Sequence, residues 1–201
     1  MPINHPNINE LNKKFIKAAK NNQFDELKNL LSQGADIHAN DDIALGWAAE
    51  NGHLEIVKFL VTKGANIHAN DGDALKWAAF KGHLEVVKLL VTQGANIHAE
   101  DDYALRLSAR FGRLEVVKFL ITQGANVQAN VQANDNEALK ESARNGHDDV
   151  WQVLSAFIQE EKLLVAASES TSASTWVCGT EVASVPQTQQ AELKKLLRSK
   201  I

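Results

Sequence analysis

Two kinds of short helical pattern alternate along most of this chain. The first is small and alanine-rich: Ala44-Leu45-Gly46-Trp47-Ala48-Ala49 and its equivalents downstream. Its alanines let a neighbouring helix pack close. The second is apolar except for one wet stripe. In its first full copy Glu55, Lys58 and Thr62 recur every three or four positions, which predicts a buried helix with a single solvent-facing line. Gly52, Gly82, Gly112 and Gly146 separate the two helices, where the chain needs a residue able to take positive φ. Gly64 ends the second helix of the first full copy.

The pattern has a strict beat. Gly34-Ala35-Asp36-Ile37-His38-Ala39-Asn40 returns from Gly64, again from Gly94, and again from Gly124, at a period of 30 residues. The block Gly52-His53-Leu54-Glu55-Ile56-Val57-Lys58 keeps the same period through Gly82 and Gly112. One such unit cannot bury both of its sides, and stacking several does. The predicted fold is therefore all-α, a solenoid of stacked helix-turn-helix units. A degenerate unit over 11–33 forms one end, with Phe15, Ile16, Ala18, Ala19, Phe24, Leu27, Leu30 and Leu31 inward. Lys13, Lys14, Lys17, Lys20 and Asn21 face water. At the other end, Asp148-Asp149, Gln152, Ser155 and Gln159 make a polar cap.

The Gly-Ala-Asn/Asp-Ile-x-Ala turn, the paired alanines and the Gly-His-Leu-Glu-Val-Val-Lys-Leu-Leu block resemble the ankyrin-repeat family over roughly Leu11 to Gln159. The family's usual period is about 33. Here the shortening falls in the finger between turn and first helix. The family's Thr-Pro-Leu-His opening is replaced by Ile43-Ala44-Leu45-Gly46, Asp73-Ala74-Leu75-Lys76 and Tyr103-Ala104-Leu105-Arg106. Short, blunt fingers and a shallow groove follow. This short-repeat variant looks like arrays in giant viruses and intracellular bacteria. The resemblance implies a non-catalytic scaffold that binds another protein through the groove of first helices and fingers. In the last unit Val127-Gln128-Ala129-Asn130 is followed by Val131-Gln132-Ala133-Asn134, a finger insert. It reads either as neutral slippage or as a finger that protrudes further than its neighbours.

The organisation read from these signals is an N-terminal arm (1–10), the degenerate capping unit (11–33) and full units at 34–63, 64–93 and 94–123. A last unit with insert and cap (124–160), a Ser/Thr-rich linker (161–186) and an amphipathic helix (187–201) complete it. In that last segment Leu193, Leu196, Leu197 and Ile201 share a face bordered by Lys194, Lys195, Arg198 and Lys200. It suits packing on the array, gripping a partner or lying on a membrane surface.

A net charge of −4 does not advertise nucleic acid or anionic membrane. One cysteine, Cys178, excludes an intrachain disulfide and a cysteine-based zinc cluster. The start Met1-Pro2-Ile3-Asn4-His5-Pro6 lacks the basic and apolar regions of a secretory signal. No apolar run approaches the roughly 20 residues of a membrane span. A cytoplasmic monomer is expected, or one in the host cytoplasm if the protein is an effector.

Chemistry is sparse. His38, His68 and His98 recur in the turn and stack too far apart to share one ion, so turn hydrogen bonds are the expected role. In the family this position is usually an asparagine that can be hydroxylated, a second reading for the three histidines. His53, His83 and His147 start the second helix and read as structural. Asp41-Asp42 and Asp101-Asp102 are expected as solvated acids at finger tips, placed to favour the start of the first helix. Trp47 and Trp77 read as part-buried packing residues and Trp151 as part of the last core. No nucleophile–base arrangement and no Gly-rich phosphate loop stands out. No catalytic residue, cofactor or metal site is assigned.

Positions where the copies disagree are free to serve binding. On the first helix these are Gly46, Glu50 and Asn51, then Lys76, Phe80 and Lys81, then Arg106, Arg110 and Phe111, then Lys140, Arg144 and Asn145. Ile43, Asp73, Tyr103 and Glu137 add the finger. The expected partner-binding set is Lys76, Phe80, Lys81, Tyr103, Arg106, Arg110, Phe111, Lys140 and Arg144, a basic stripe with aromatics interleaved. An acidic protein partner suits it. Competing readings are a mixed solvated face, an effector acting on a host protein, and nucleic-acid binding, which salt dependence would reveal.

Overall fold

Each 30-residue unit folds into two antiparallel helices because its polar positions leave one stripe per helix for water. The computed structural model describes residues 7–125 and 137–159. The element order is α1 (Ile8–Lys20), α2 (Phe24–Ser32), α3 (Ala39–Glu50), α4 (Leu54–Thr62), α5 (Asp73–Lys81), α6 (Leu84–Thr92), α7 (Ala99–Arg110), α8 (Leu114–Thr122) and α9 (Glu137–Arg144). A further helix, α10, is described over 148–159. A single 3-10 turn, Ala69–Asp71, precedes α5. There is no strand among the described residues.

The expected faces are present. In α4, Ile56, Val57 and Leu60 are fully buried, while Glu55, Lys58 and Thr62 are exposed. Full burial of one such side chain contributes about 1.5–3 kcal/mol. In the first unit Phe15, Ala18, Ala19, Leu27 and Leu30 are buried, with Ile16, Phe24 and Leu31 packed at the edge. Its helix starts at Ile8, inside the stretch expected as an arm, because the Asn7 side chain accepts the Asn9 backbone N–H at 3.1 Å and caps it. In α10, Val150, Leu154, Phe157 and Ile158 form the core face. Trp151 does not join it. One residue on from Val150, it is rotated off that face and is 43% exposed.

First helices α1, α3, α5, α7 and α9 form a closely packed row. Their buried alanines, such as Ala48, Ala49, Ala78 and Ala79, permit that approach. The second helices α4, α6 and α8 carry larger side chains and touch one another much less. A stack tighter on one side curves toward it, so the first-helix row lines the concave face.

The shortened finger takes an unusual form. Residues 40–42, 70–72 and 100–102 each make a left-handed turn, with φ between 50° and 58° except for Gly72 at 85°. Left-handed backbone costs most L-residues about 1–2 kcal/mol each, and Asn, Asp and Gly tolerate it best. Where the third position is an aspartate, its hydrogen bonds offset that cost. Asp42 Oδ1 accepts the Asn66 backbone N–H of the next unit at 2.9 Å, and His38 Nδ1 lies 3.0 Å from the same oxygen. Asn12 does the same for the Asp36 N–H at 2.8 Å, one unit earlier. His98 Nδ1 meets Asp102 Oδ1 at 2.9 Å. The expectation of solvated acids thus holds for Asp41 and Asp101 and fails for Asp42 and Asp102. Those two are 6% and 4% exposed, because the left-handed turn aims the third side chain inward. The hydrogen-bonding role expected of His38 and His98 is present. At His68 the aspartate's place is taken by Gly72.

The finger insert 127–134, the linker and the amphipathic helix 187–201 lie outside the described residues.

Candidate partner-binding surface

Three aromatic rings run across the concave face. Trp77 and Phe80 stand three residues apart on α5, so they share a side of it, and their rings meet edge to face at 5.9 Å. Phe111, at the end of α7, meets Phe80 at 4.4 Å and 83°. Both contacts are the T-shaped geometry that aromatic quadrupoles favour. The strip remains open to water: Trp77 is 42% and Phe111 38% exposed. Trp77, expected as a part-buried packing residue, is the exposed end of the strip.

The cations of the stripe are mostly engaged within the chain. Lys76 is buried, with its Nζ 2.7 Å from Glu100 Oε1, 3.0 Å from Asp73 Oδ1 and 3.2 Å from the Asn70 carbonyl. Burial alone would push its pKa down. The hydrogen bonds and charges of Glu100 and Asp73 outweigh burial and hold it above the ordinary lysine value. Lys76 therefore ties two units together, its ammonium engaged within the chain. Lys81 Nζ lies 3.5 Å from Glu50 and sits over the Phe80 ring. Arg106 donates from Nη2 to the Glu100 carbonyl at 3.0 Å and lies over Tyr103. Its Nε is buried with no acceptor among the described residues.

Arg110 and Arg144 remain the most open, with side chains 55% and 64% exposed. They pair loosely, Arg110 with Glu141 at 3.5 Å and Arg144 with Glu141 at 3.4 Å and Glu137 at 3.8 Å. Lys140 is half-buried on α9. The stripe is thus a mixed-charge face, because residues such as Glu50, Glu100 and Glu141 lie opposite the cations in the folded stack.

At the other end of the face lies a cavity of about 360 Å³ between α3 and α5. Trp47 and Trp77 wall it, with Ile43, Gly46, Ala69 and Ala74 beneath and Asp41, Glu50, Asn70 and Asp73 among its polar groups. The size is at the lower end of the roughly 300–1,000 Å³ typical of ligand pockets. Gly46 and Glu50, variable between the copies, both line this pocket. Its signal was the glycine at a position that is Lys76, Arg106 and Lys140 in the other copies.

These features define a class: a helical repeat solenoid with a rigid concave face bearing an open aromatic strip. Family comparison makes it specific. A family model of three ankyrin repeats matches residues 15–101 and again 77–162, together well over half of the chain, and the chain belongs to the ankyrin-repeat family. No curated protein matches it. Ankyrin repeats generally mediate protein–protein interactions, and the family is typically non-catalytic. No described helix is long and apolar enough to cross a membrane.

Proposed function

We propose that this protein is a non-catalytic interaction scaffold, a cytoplasmic monomer that binds a protein partner across the first-helix and finger surface. The observation that carries the reading is the Trp77–Phe80–Phe111 strip. Large rings kept at a surface forgo burial unless a partner supplies it, and aromatics and arginine dominate binding hot spots. The rings are braced by each other and by packed helices, so little conformational entropy is lost on docking. Arg110 and Arg144, loosely paired and open, suit acidic groups of the partner near the last unit. The mixed charge along the rest of the face makes apolar contact the main source of affinity.

The test is capture from nuclease-treated lysate with the wild type and with Phe80→Ala/Phe111→Ala, folding being checked by circular dichroism. A captured protein, once purified, should bind the folded double variant about 30-fold more weakly, the loss of one hot spot of roughly 2 kcal/mol. Equal affinity for both chains would refute the strip as the site.

A further inference from the structure

We propose that the cavity between α3 and α5 receives a basic side chain, arginine or lysine, of the bound partner. The inference rests on the reading of the concave face as the partner surface and adds the chemistry of one subsite.

The repeat itself supplies the argument. Gly46, Lys76 and Arg106 are the same position in successive units. Lys76 Nζ lies 3.2 Å from the carbonyl of Asn70, and Arg106 Nη2 lies 3.0 Å from the carbonyl of Glu100. In both units the cation folds back onto the finger carbonyl six residues before it. The first full unit keeps the backbone of that arrangement and lacks the side chain. A Cβ built on Gly46 would meet nothing within 4 Å, and Gly46 lines the cavity.

Its walls suit a cation. Two indoles, Trp47 and Trp77, face the space, and indole is the best aromatic partner for a cation. The lining also includes the acids Asp41, Asp42, Glu50 and Asp73, and no basic residue belongs to it among the described residues. Glu50 is shared with Lys81 at 3.5 Å and Asp73 with Lys76 at 3.0 Å, while the Asp41 carboxylate has no partner among the described residues. Trp47 already takes one cation from within the chain: Lys20 Nζ lies 3.8 Å from its ring centre. Ile43 stands where Asp73 does in the next unit and adds an apolar side chain to the lining. The subsite therefore grips the apolar stem of a long side chain as well as its charged head.

The experiment is a titration of the full ¹⁵N-labelled chain with N-acetyl-arginine methylamide, and with the neutral isostere N-acetyl-citrulline methylamide. The indole N–H signals of Trp47, Trp77 and Trp151 are followed by NMR. Saturable shifts are expected at Trp47 and Trp77 and not at Trp151, with the citrulline probe about tenfold weaker. Gly46→Lys, which supplies its own ammonium to the cavity, should abolish the shifts. Gly46→Ala, which leaves the space open, should retain them. Equal response to the two probes, or binding that survives in folded Gly46→Lys, would overturn the assignment.

The same variants separate the subsite from the wider face. If Gly46→Lys leaves affinity for a purified partner unchanged while Phe80→Ala/Phe111→Ala weakens it as expected, the partner's basic side chain is not in the cavity and the face reading stands. If neither variant weakens the partner, both readings fall, even where the arginine probe binds.

Discussion

The ring of His83 lies flat against Gly52 of the preceding unit: a Cβ at Gly52 would fall 2.6 Å from His83 Nδ1. The same histidine reaches past that glycine with Nε2, 3.0 Å from the Glu50 carbonyl at the end of α3. The glycine's missing side chain and the histidine's second nitrogen thus serve one junction. Gly52, at φ 72°, lets the chain leave α3, and the His83 ring occupies the space and satisfies a carbonyl the helix end leaves open. Gly112 and His147 repeat the contact, also at 2.6 Å, with His147 Nε2 3.0 Å from the Arg110 carbonyl.

Two glycines six residues apart should therefore respond in opposite directions to the same change. Gly52→Ala meets both the positive φ and the His83 ring, and should cost about 2–3 kcal/mol. Gly46→Ala lies in a helix interior with open space at its Cβ, and should stabilise by up to about 1 kcal/mol. Urea unfolding of both variants checks the pair. A neutral Gly52→Ala would mean that the junction yields easily.

At the third junction arginine does the histidine's work. Arg113 packs its Cδ 2.8 Å from the position of a Gly82 Cβ, and its Nε donates to the Phe80 carbonyl at 3.0 Å. The junction needs a flat or slender side chain with one N–H donor, not a histidine as such. His83→Arg should accordingly stay within about 0.5 kcal/mol of wild type, while His83→Ala, which loses the ring and strips the Glu50 carbonyl, should cost about 2 kcal/mol. Equal losses in thermal unfolding would contradict the shared role.

The buried Asp42 invites a sharper comparison. Asp42→Ala leaves the Asn66 N–H without its acceptor inside the turn, and should cost about 1–3 kcal/mol. Asp42→Asn keeps an oxygen there and should recover most of that loss. Amide exchange at Asn66 is the direct readout: it should speed markedly in the alanine variant and little in the asparagine variant.

How much of this was legible in the sequence follows from what repeats. The helix pairs, the glycine breaks and the wet stripe of Glu55, Lys58 and Thr62 recur with a fixed period, and a recurring pattern reveals its burial directly. The left-handed finger turn was not legible, because Asn-Asp-Asp also reads as a solvated acidic tip. Whether Asp42 points in or out depends on backbone φ, which no periodicity reports. The candidate face was legible in position but not in charge state. Lys76, Lys81 and Arg110 look like free cations along the sequence. Their carboxylate partners Glu100, Glu50 and Glu141 come from neighbouring units, at separations that only stacking brings within 3.5 Å. Trp77 illustrates the converse: it shares a repeat position with Leu107, which suggests packing, yet its larger ring extends past the packed edge.

Lys76 offers the last test, because its position suggests binding and its contacts suggest stability. Lys76→Met retains the stem and removes the ammonium. Asp73 and Glu100 are 39% and 43% exposed, so water can take over their solvation when the charge goes. The cost should be nearer about 1 kcal/mol than the 3–5 of a pair cut in a dry core. The pH dependence carries a definite sign. The folded-state pKa of Lys76 is raised above 10.5, so folding binds its proton more tightly than unfolding does. Its contribution is complete below 10.5 and is lost as pH rises through the folded value. The stability gap between wild type and Lys76→Met, measured by urea unfolding, should stay constant from neutral pH up to about pH 10 and close above it. Partner affinity should meanwhile be unchanged at neutral pH. A variant that unfolds like wild type yet loses the partner would return Lys76 to the binding surface.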